Sequence, residues 1–400
     1  MQINISEVWT LILAVLAIWS GIRIHHFLPR LQAWSIPPAI TGGLLFAVIL
    51  TVARHFFNLE IHFADLGRQT LLLIFFAGIG LSAKLHPLLK GGKSVAIICA
   101  IILLTIVIQN MIGIGIVHLF GMEKPLGLFF GSISYTGGHG TTAAWAQSTP
   151  AEALHGAFEA GMASATFGLI AGGLVAGPVA AFLIRHISKH QTYPLDNITD
   201  TPAEQRTEIK IAEILNSDRW LIITLIICTC LALGEMLRTW TATQGWVIPG
   251  FLAVLLTAII ITNLADITGH PVDLIVADLT GTIALRLFLA ISMMGLKLWE
   301  LADLILPLLV TLAIQIGAII TISALILYPL LGRGYQAAVA CAGFIGCSLG
   351  AMPVGLGVMK RLTTTYGPAP HAILILTMAY ALFTDTANAI IVNVCFMLLN

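Results

Sequence analysis

The chain has 400 residues, of which 58% are hydrophobic and only 10% charged, and its 19 lysines and arginines balance its 19 aspartates and glutamates. Soluble domains carry roughly 25% charged residues, so this composition excludes a soluble globular protein, and the zero net charge gives no basic patch for nucleic acid. A mean hydropathy of +0.97 describes a polytopic membrane protein.

The first apolar window is 8–28. Glu7 and the absence of a basic residue before it do not resemble the positive stretch that precedes a cleaved leader, so it is expected to remain as a membrane helix. Further windows at 37–53, 70–83, 94–119 and 158–184 approach the roughly 20 residues that a span needs. After a polar break the pattern resumes at 220–237, 247–262, 282–298, 305–331 and 372–399. The predicted fold is therefore all-α, with ten membrane helices and two glycine-rich segments, near 131–147 and 337–359.

The charged, proline-containing stretch 188–217 reads as a solvated linker between a first unit, 1–187, and a second, 218–400. At an offset near 212 residues the two units match in order. Ile36-Pro37 meets Ile248-Pro249, Phe75-Phe76-Ala77 and Lys84-Leu85 meet Phe288-Leu289-Ala290 and Lys297-Leu298, Gly131 meets Gly343, and Gly138 meets Gly350. Gln109 meets Gln315 at a slightly smaller offset. Each unit reads as a repeat of five spans with a re-entrant, broken segment between its fourth and fifth. Five is odd, so the second repeat enters the membrane with the opposite orientation. With the N-terminus outside, Arg23, Arg30, Lys90, Lys93, Arg185, Arg219, Arg333, Lys360, Arg361 and the linker cations gather inside, against Arg54, Arg68, Lys124 and Arg238 outside. The positive-inside rule then predicts periplasmic termini and a cytoplasmic linker. Lys84 and Lys297, as repeat equivalents, fall on opposite sides and cannot both obey the rule. Arg286 is expected near the start of the eighth span, snorkelling to the inner interface.

An inverted repeat brings the two broken segments in from opposite faces, so that their tips meet near the midplane. Three glycines around one histidine disfavour helix by about 1 kcal/mol each relative to alanine, and opened backbone persists at membrane depth only where protein or a watery cavity satisfies it. Candidate substrate contacts are Ser134, Thr136, Gly137, Gly138, His139, Gly140, Thr141 and Thr142 at the first tip. At the second they are Ser348, Gly350, Ala351, Met352 and Pro353, the proline being expected to stop helix propagation. Freed N–H groups and helix N-termini attract carboxylates, and freed carbonyls coordinate sodium. His139 has Ala351 at the equivalent place, which leaves direct substrate contact and structural hydrogen bonding both open. Asp385 and Asn388 lie nearly one turn apart in the last span, and an ionised carboxylate there is a candidate sodium ligand. Gln109 and Gln315, matched amides within spans, are candidates for the ion site or for interhelical hydrogen bonds. The six cysteines form no C-x-x-C pair and read as small core residues. A membrane-embedded enzyme with His139 as general base is the other class of reading, but no nucleophile or metal constellation accompanies the histidine.

Several runs resemble a known family. Gln109-Asn110-Met111-Ile112-Gly113-Ile114-Gly115, Gly137-Gly138-His139-Gly140-Thr141 with Ala143-Ala144-Trp145, and Ala165-Thr166-Phe167-Gly168-Leu169 are similar to motifs of the bacterial glutamate:sodium symporter family. Met294-Gly295-Leu296-Lys297-Leu298-Trp299-Glu300-Leu301 and Gly350-Ala351-Met352-Pro353 resemble its second-half motifs. The resemblance covers essentially the whole chain. It implies two inverted five-helix domains, sodium as the coupling ion, glutamate uptake across the inner membrane by alternating access, and a homodimer in the lipid bilayer. A carrier of di- or tricarboxylates or of another acidic amino acid, coupled to sodium or to protons, fits the same architecture. The orientation has a direct check: a protease should cut within 188–217 in inside-out vesicles and spare it in intact spheroplasts, and the reverse pattern would turn the topology over.

Overall fold

Every apolar window folds as a helix in the computed structural model, which describes residues 2–29, 31, 36–57, 60–64, 66–84, 92–148, 154–185, 217–244, 248–298 and 304–399. Apart from Ser217, the expected linker lies outside the described residues. The first unit contains α1 (Glu7–Phe27), α2 (Pro38–Phe57), α3 (Leu66–Ser82), α4 (Gly92–Leu119), the short α5 (Gly138–Ala146) and α6 (Ala157–Arg185). The second contains α7 (Ser217–Thr243), α8 (Gly250–Ile267), α9 (Leu274–Met294), α10 (Ile305–Leu330), α11 (Tyr335–Leu349), α12 (Met352–Tyr366) and α13 (Pro370–Leu399). Among the described residues, eight of these helices are long and apolar enough to cross a membrane, and α2, α3 and α11 contain shorter apolar helices. The fold is thus that of an all-helical membrane protein, with one parallel ladder of three residues per strand between Gln2–Asn4 and Glu60–His62.

Two expectations are revised. Helix α9 begins at Leu274, well before residue 282, because Asp273 caps it: its carboxylate accepts the N–H groups of Ile275 and Val276 at 3.2 and 3.4 Å and pairs with Arg219 at 2.5 Å. A cap satisfies donors that a helix start leaves open, so charges that suggest a loop mark a helix end instead. Arg286 accordingly sits in the body of α9, exposed, rather than near its start. The second glycine-rich segment is also less irregular than expected. It forms α11 and α12, with the break confined to Gly350 and Ala351. Pro353 lies in the first turn of α12, where its missing N–H costs nothing, so it starts a helix instead of stopping one.

The helix ends sort into two sets. The strand before α1 pairs with the strand after α2. The end of α4 and the start of α6 share a cavity lined by Gly121, Met122, Glu123, Leu126, Leu154 and His155. Lys297, after α9, donates its backbone N–H to Glu159 at the start of α6 at 3.3 Å. At the other set, Lys84 after α3 pairs with Asp266 near the end of α8 at 2.7 Å, Arg219 at the start of α7 pairs with Asp273 before α9, and Tyr335 at the start of α11 donates to the Gly367 carbonyl before α13.

Packing does not follow the division at the linker. Helices α1–α3 pack with α7–α9, while α4–α6 pack with α10–α13. Phe76 of α3, Phe251 of α8, Trp145 of α5 and Phe396 of α13 join the two bodies, with successive ring centroids 4.7, 5.2 and 5.2 Å apart. Within the first body α1 and α2 approach backbone to backbone, so that a methyl group on Gly42 would lie 1.7 Å from the Ala17 carbonyl oxygen. Gly42→Ala must push the helices apart and should destabilise the protein by about 1–3 kcal/mol. The check is a lower melting temperature in detergent, with Gly115→Ala, which meets nothing within 4 Å, as the neutral or stabilising control.

Candidate functional site

The first broken segment opens with a 3₁₀ turn, Lys124–Leu128, and runs through turns to α5. Ser134 Oγ donates to the Phe129 carbonyl at 2.6 Å, and the N–H groups of Gly137 and Gly138 donate to the carbonyls of Ser132 and Ser134 at 2.9 and 3.0 Å. Helix begins at Gly138, whose φ of +69° favours glycine. The glycine run is therefore opened only up to Gly137, and His139, Gly140 and Thr141 are helical. Tertiary context overrides the glycine penalty here: Ala143, Ala144 and Trp145 of α5 are almost fully buried.

The two breaks touch. A methyl group on Gly138 would lie 3.5 Å from the carbonyl oxygen of Gly350. Helix α5 starts on one side of this contact and α12, with Ala351 as its extended N-cap, on the other. Each start carries the positive end of the helix dipole; at α12 Pro353 has no N–H and Val354 and Gly355 donate to the Ala351 carbonyl, so Met352 offers the N–H there. Two such ends in one place form an anion-binding environment made largely of backbone.

Side-chain amides bond to carbonyls of the two broken segments and of α4. Gln109 of α4 donates to the Ser348 carbonyl of the second segment at 2.8 Å. Gln315 of α10 donates to Gln109 and Phe130 carbonyls of the first unit at 2.9 and 3.2 Å. Thr136 donates to Gln109 Oε1 at 2.5 Å, and Ser348 Oγ shares a proton with the Tyr380 hydroxyl at 2.5 Å. Both ends of the Gln109 amide are thus engaged, whereas Gln315 Oε1, fully buried, has no hydrogen bond among the described residues.

His139 Nε2 lies 3.0 Å from Thr166 Oγ1. Because that hydroxyl already donates to the Met162 carbonyl at 2.8 Å, the imidazole is the donor. Thr142 donates to the Gly138 carbonyl at 2.8 Å, while the Thr141 hydroxyl makes no hydrogen bond among the described residues. Met352 and Pro353 form the first turn of α12 beside Gly350. Asn388 of α13 reaches the first segment, donating to the Ser132 carbonyl at 3.1 Å and standing 2.6 Å from Ser132 Oγ through its Oδ1. Asp385 lies less than one turn before it, directly after a π-helical turn, Tyr380–Thr384. Its carboxylate has no hydrogen bond or ion pair among the described residues.

The structure thus brings together Gln109, Thr136, Gly138, Ser348 and Gly350 directly, and ties Asn388 to the first tip through Ser132. Sequence reasoning passed over Ser132, Asn110 and Tyr380. Asn110 stands beside Gln109 in the sequence and was visible as a second mid-span amide; nothing local marks Ser132 or Tyr380. Between the two bodies, at the far end of α5, a cavity of about 340 Å³ is lined by Gln69, Gln147, Ser148 and the Glu235–Arg238 ion pair. Among the described residues no group of three His, Cys, Asp or Glu side chains is placed to hold a metal ion.

A profile of the family described as sodium/glutamate symporter matches residues 2–368. The sodium/glutamate symporter of Escherichia coli (strain K12) is 36% identical over 397 residues, covering 99% of this chain and 98% of that one. The sodium/glutamate symporter of Haemophilus influenzae (strain ATCC 51907 / DSM 11121 / KW20 / Rd) is 35% identical over 403 residues, covering 100% and 99%. Among solved structures, a sodium proton antiporter from Methanocaldococcus jannaschii superposes with a TM-score of 0.44 at 14% identity, covering 98% of this chain and 99% of that one, an overlap too loose to assign detail.

Removing one amide tests the bracing. Gln315→Leu leaves the Gln109 and Phe130 carbonyls without their donor in the interior, at a cost of about 1–3 kcal/mol, and should lower the melting temperature in detergent. An unchanged melting temperature would show that the breaks do not depend on this amide.

Proposed function

The chain belongs to the sodium/glutamate symporter family, and from that membership we propose that it takes up glutamate with sodium by alternating access, holding the substrate where the two breaks meet. The observation that carries this reading is the contact of buried Gly138 with the carbonyl of buried Gly350, at which two helices start. Glutamate is a dianion with one ammonium group. Its carboxylates suit the N–H groups at the starts of α5 and α12, each such end contributing about 0.3–1 kcal/mol, together with the Thr141 hydroxyl, while the N–H of His139 serves Thr166. Thr136, Thr142 and Ser348 hold the tip in shape, since their hydroxyls already serve Gln109, Gly138 and Tyr380.

Sodium is the coupling ion. Asp385, half-buried, supplies a charge inside a span with no cation beside it among the described residues, and an uncompensated charge at membrane depth is costly. Sodium near Asp385 and Asn388, with the free Gln315 oxygen in reserve, removes that cost. Because Asn388 bonds to Ser132 and Gln109 bonds to Ser348, an ion there bears on the shape of both tips. Alternating access follows if α4–α6 with α10–α13 move against α1–α3 with α7–α9, since both tips belong to the first of these bodies.

The protein is a multi-pass membrane transporter. Its placement in the bacterial inner membrane, the periplasmic termini and the cytoplasmic linker are part of this proposal, supported by the distribution of lysine and arginine. So is a homodimer, for which the outward apolar faces of α1 (Trp9, Leu16, Trp19) and α7 (Leu221, Leu225, Trp240) offer surface to lipid or to a second copy. Transport rather than catalysis is the role given to His139, which donates to a Thr166 hydroxyl whose own proton goes to the Met162 carbonyl.

Purified protein in proteoliposomes should accumulate labelled glutamate only under an inward sodium gradient. Accumulation indifferent to that gradient, or driven equally by dicarboxylates that lack the ammonium group, would replace this reading with a different carrier. Asp385→Asn should reduce sodium-driven uptake at least tenfold. Because its N–H serves Thr166, His139→Ala should change the glutamate KM by less than about threefold while lowering the melting temperature in detergent, as expected for the loss of one buried hydrogen bond; a tenfold rise in KM would instead show direct contact with the substrate.

A further inference from the structure

Ser132 presents one hydroxyl proton to two amide oxygens. Its Oγ stands 2.9 Å from Asn110 Oδ1 and 2.6 Å from Asn388 Oδ1. Neither amide can turn its nitrogen toward the hydroxyl instead. Asn110 Oδ1 also accepts the backbone N–H of Ser132 at 2.9 Å, and Asn388 Nδ2 donates to the Ser132 carbonyl at 3.1 Å. Whichever oxygen receives the proton, the other faces Oγ with no hydrogen between them. All three residues are at most 2% exposed, so water does not relieve the contact. An oxygen cluster short of protons in a dry interior is a place for a cation, and oxygen donors suit a hard one.

Two further observations point the same way. Gln315 Oε1, on the amide that donates to the backbone of Gln109 next to Asn110, is buried and without a partner among the described residues. Asp385 stands three positions before Asn388 on α13, a spacing that puts the two side chains on neighbouring parts of one helix face.

We infer that Asn110 and Ser132 join Asn388 in coordinating the coupling sodium, with Asp385 as the nearby counter-charge. This rests on the sodium-coupled reading above and names its ligands. The three oxygens come from α4, from the first broken segment and from α13, so the ion ties that segment to both helices at a point six residues before Gly138. Sodium then fixes the tip that glutamate meets, which couples the two without contact between them. The Asn110 Nδ2 group makes no hydrogen bond among the described residues, so exchanging it for oxygen removes none.

That last feature supplies the test. Wild-type protein and three variants, Ser132→Thr, Ser132→Cys and Asn110→Asp, are compared in two assays: sodium-titrated glutamate uptake in proteoliposomes, and sodium-dependent thermal stabilisation in detergent without glutamate, with potassium as the control ion. Ser132→Cys keeps the shape but replaces a hard oxygen with sulfur, and should need about tenfold more sodium in both assays, with the glutamate KM restored at saturating sodium. Ser132→Thr keeps the oxygen and should titrate within about twofold of wild type. Asn110→Asp adds a charge at the ion and should need about tenfold less sodium for stabilisation, a gain that a merely structural asparagine would not give. Should the cysteine variant fail to fold, Asn110→Asp decides by itself. Wild-type sodium dependence with unchanged half-saturation in Ser132→Cys and Asn110→Asp overturns the assignment and leaves symport standing. A wild type indifferent to sodium overturns symport and the assignment together.

Discussion

Breaking a helix inside a membrane leaves backbone carbonyls and N–H groups with no water to satisfy them, at several kcal/mol each. Here the amides of Gln109 and Gln315 meet that constraint, each reaching from its own half to a carbonyl of the other: Ser348 in one direction, Gln109 and Phe130 in the other. These crossing donors brace the breaks. Bonds inside the first segment, such as Ser134 to Phe129 and Thr142 to Gly138, add to these crossing donors. The matched position of the two glutamines in the sequence is the trace of this reciprocal bracing.

From that bracing follows the placement of everything polar. Once Gln109 is committed to Ser348 and Thr136, the neighbouring Asn110 is turned toward Ser132, and Asn388 of the last helix meets the same serine. Asn388, Ser132, Asn110, Gln109, Thr136 and Ser348 thus form a polar set that runs from α13 to the point where Gly138 meets Gly350. This set lies in a single packed body, whereas Phe76 and Phe251 belong to the other and meet it through Trp145. The contact between the bodies is aromatic and apolar at this point, which gives a surface that can shift without leaving hydrogen bonds unmade.

Much of the fold was legible because lipid imposes a simple rule on composition. Every apolar window became a helix, and the order of spans and interruptions in the two halves agreed with the structure. Misreadings came where local chemistry had two meanings. Asp273 looked like part of a loop and is a cap with Arg219 as its partner. Gly138 and Gly140 looked like a broken backbone, and only the first marks the break, since burial of Trp145 and its neighbours holds the rest of α5 helical. Pro353 looked like a terminator and begins α12.

By itself the sequence determined the membrane class, the order of the apolar helices and the matched positions of Gln109 and Gln315, because these depend on hydrophobicity and on spacing along the chain. Only the tertiary structure decided which atoms meet: that the tips touch at Gly138 and Gly350, that Asn110, Ser132 and Asn388 face one another, and that the packed bodies exchange helices between the halves. Those contacts join residues up to 256 positions apart. Their geometry is set by how helices cross in space, and no local pattern of residues encodes it.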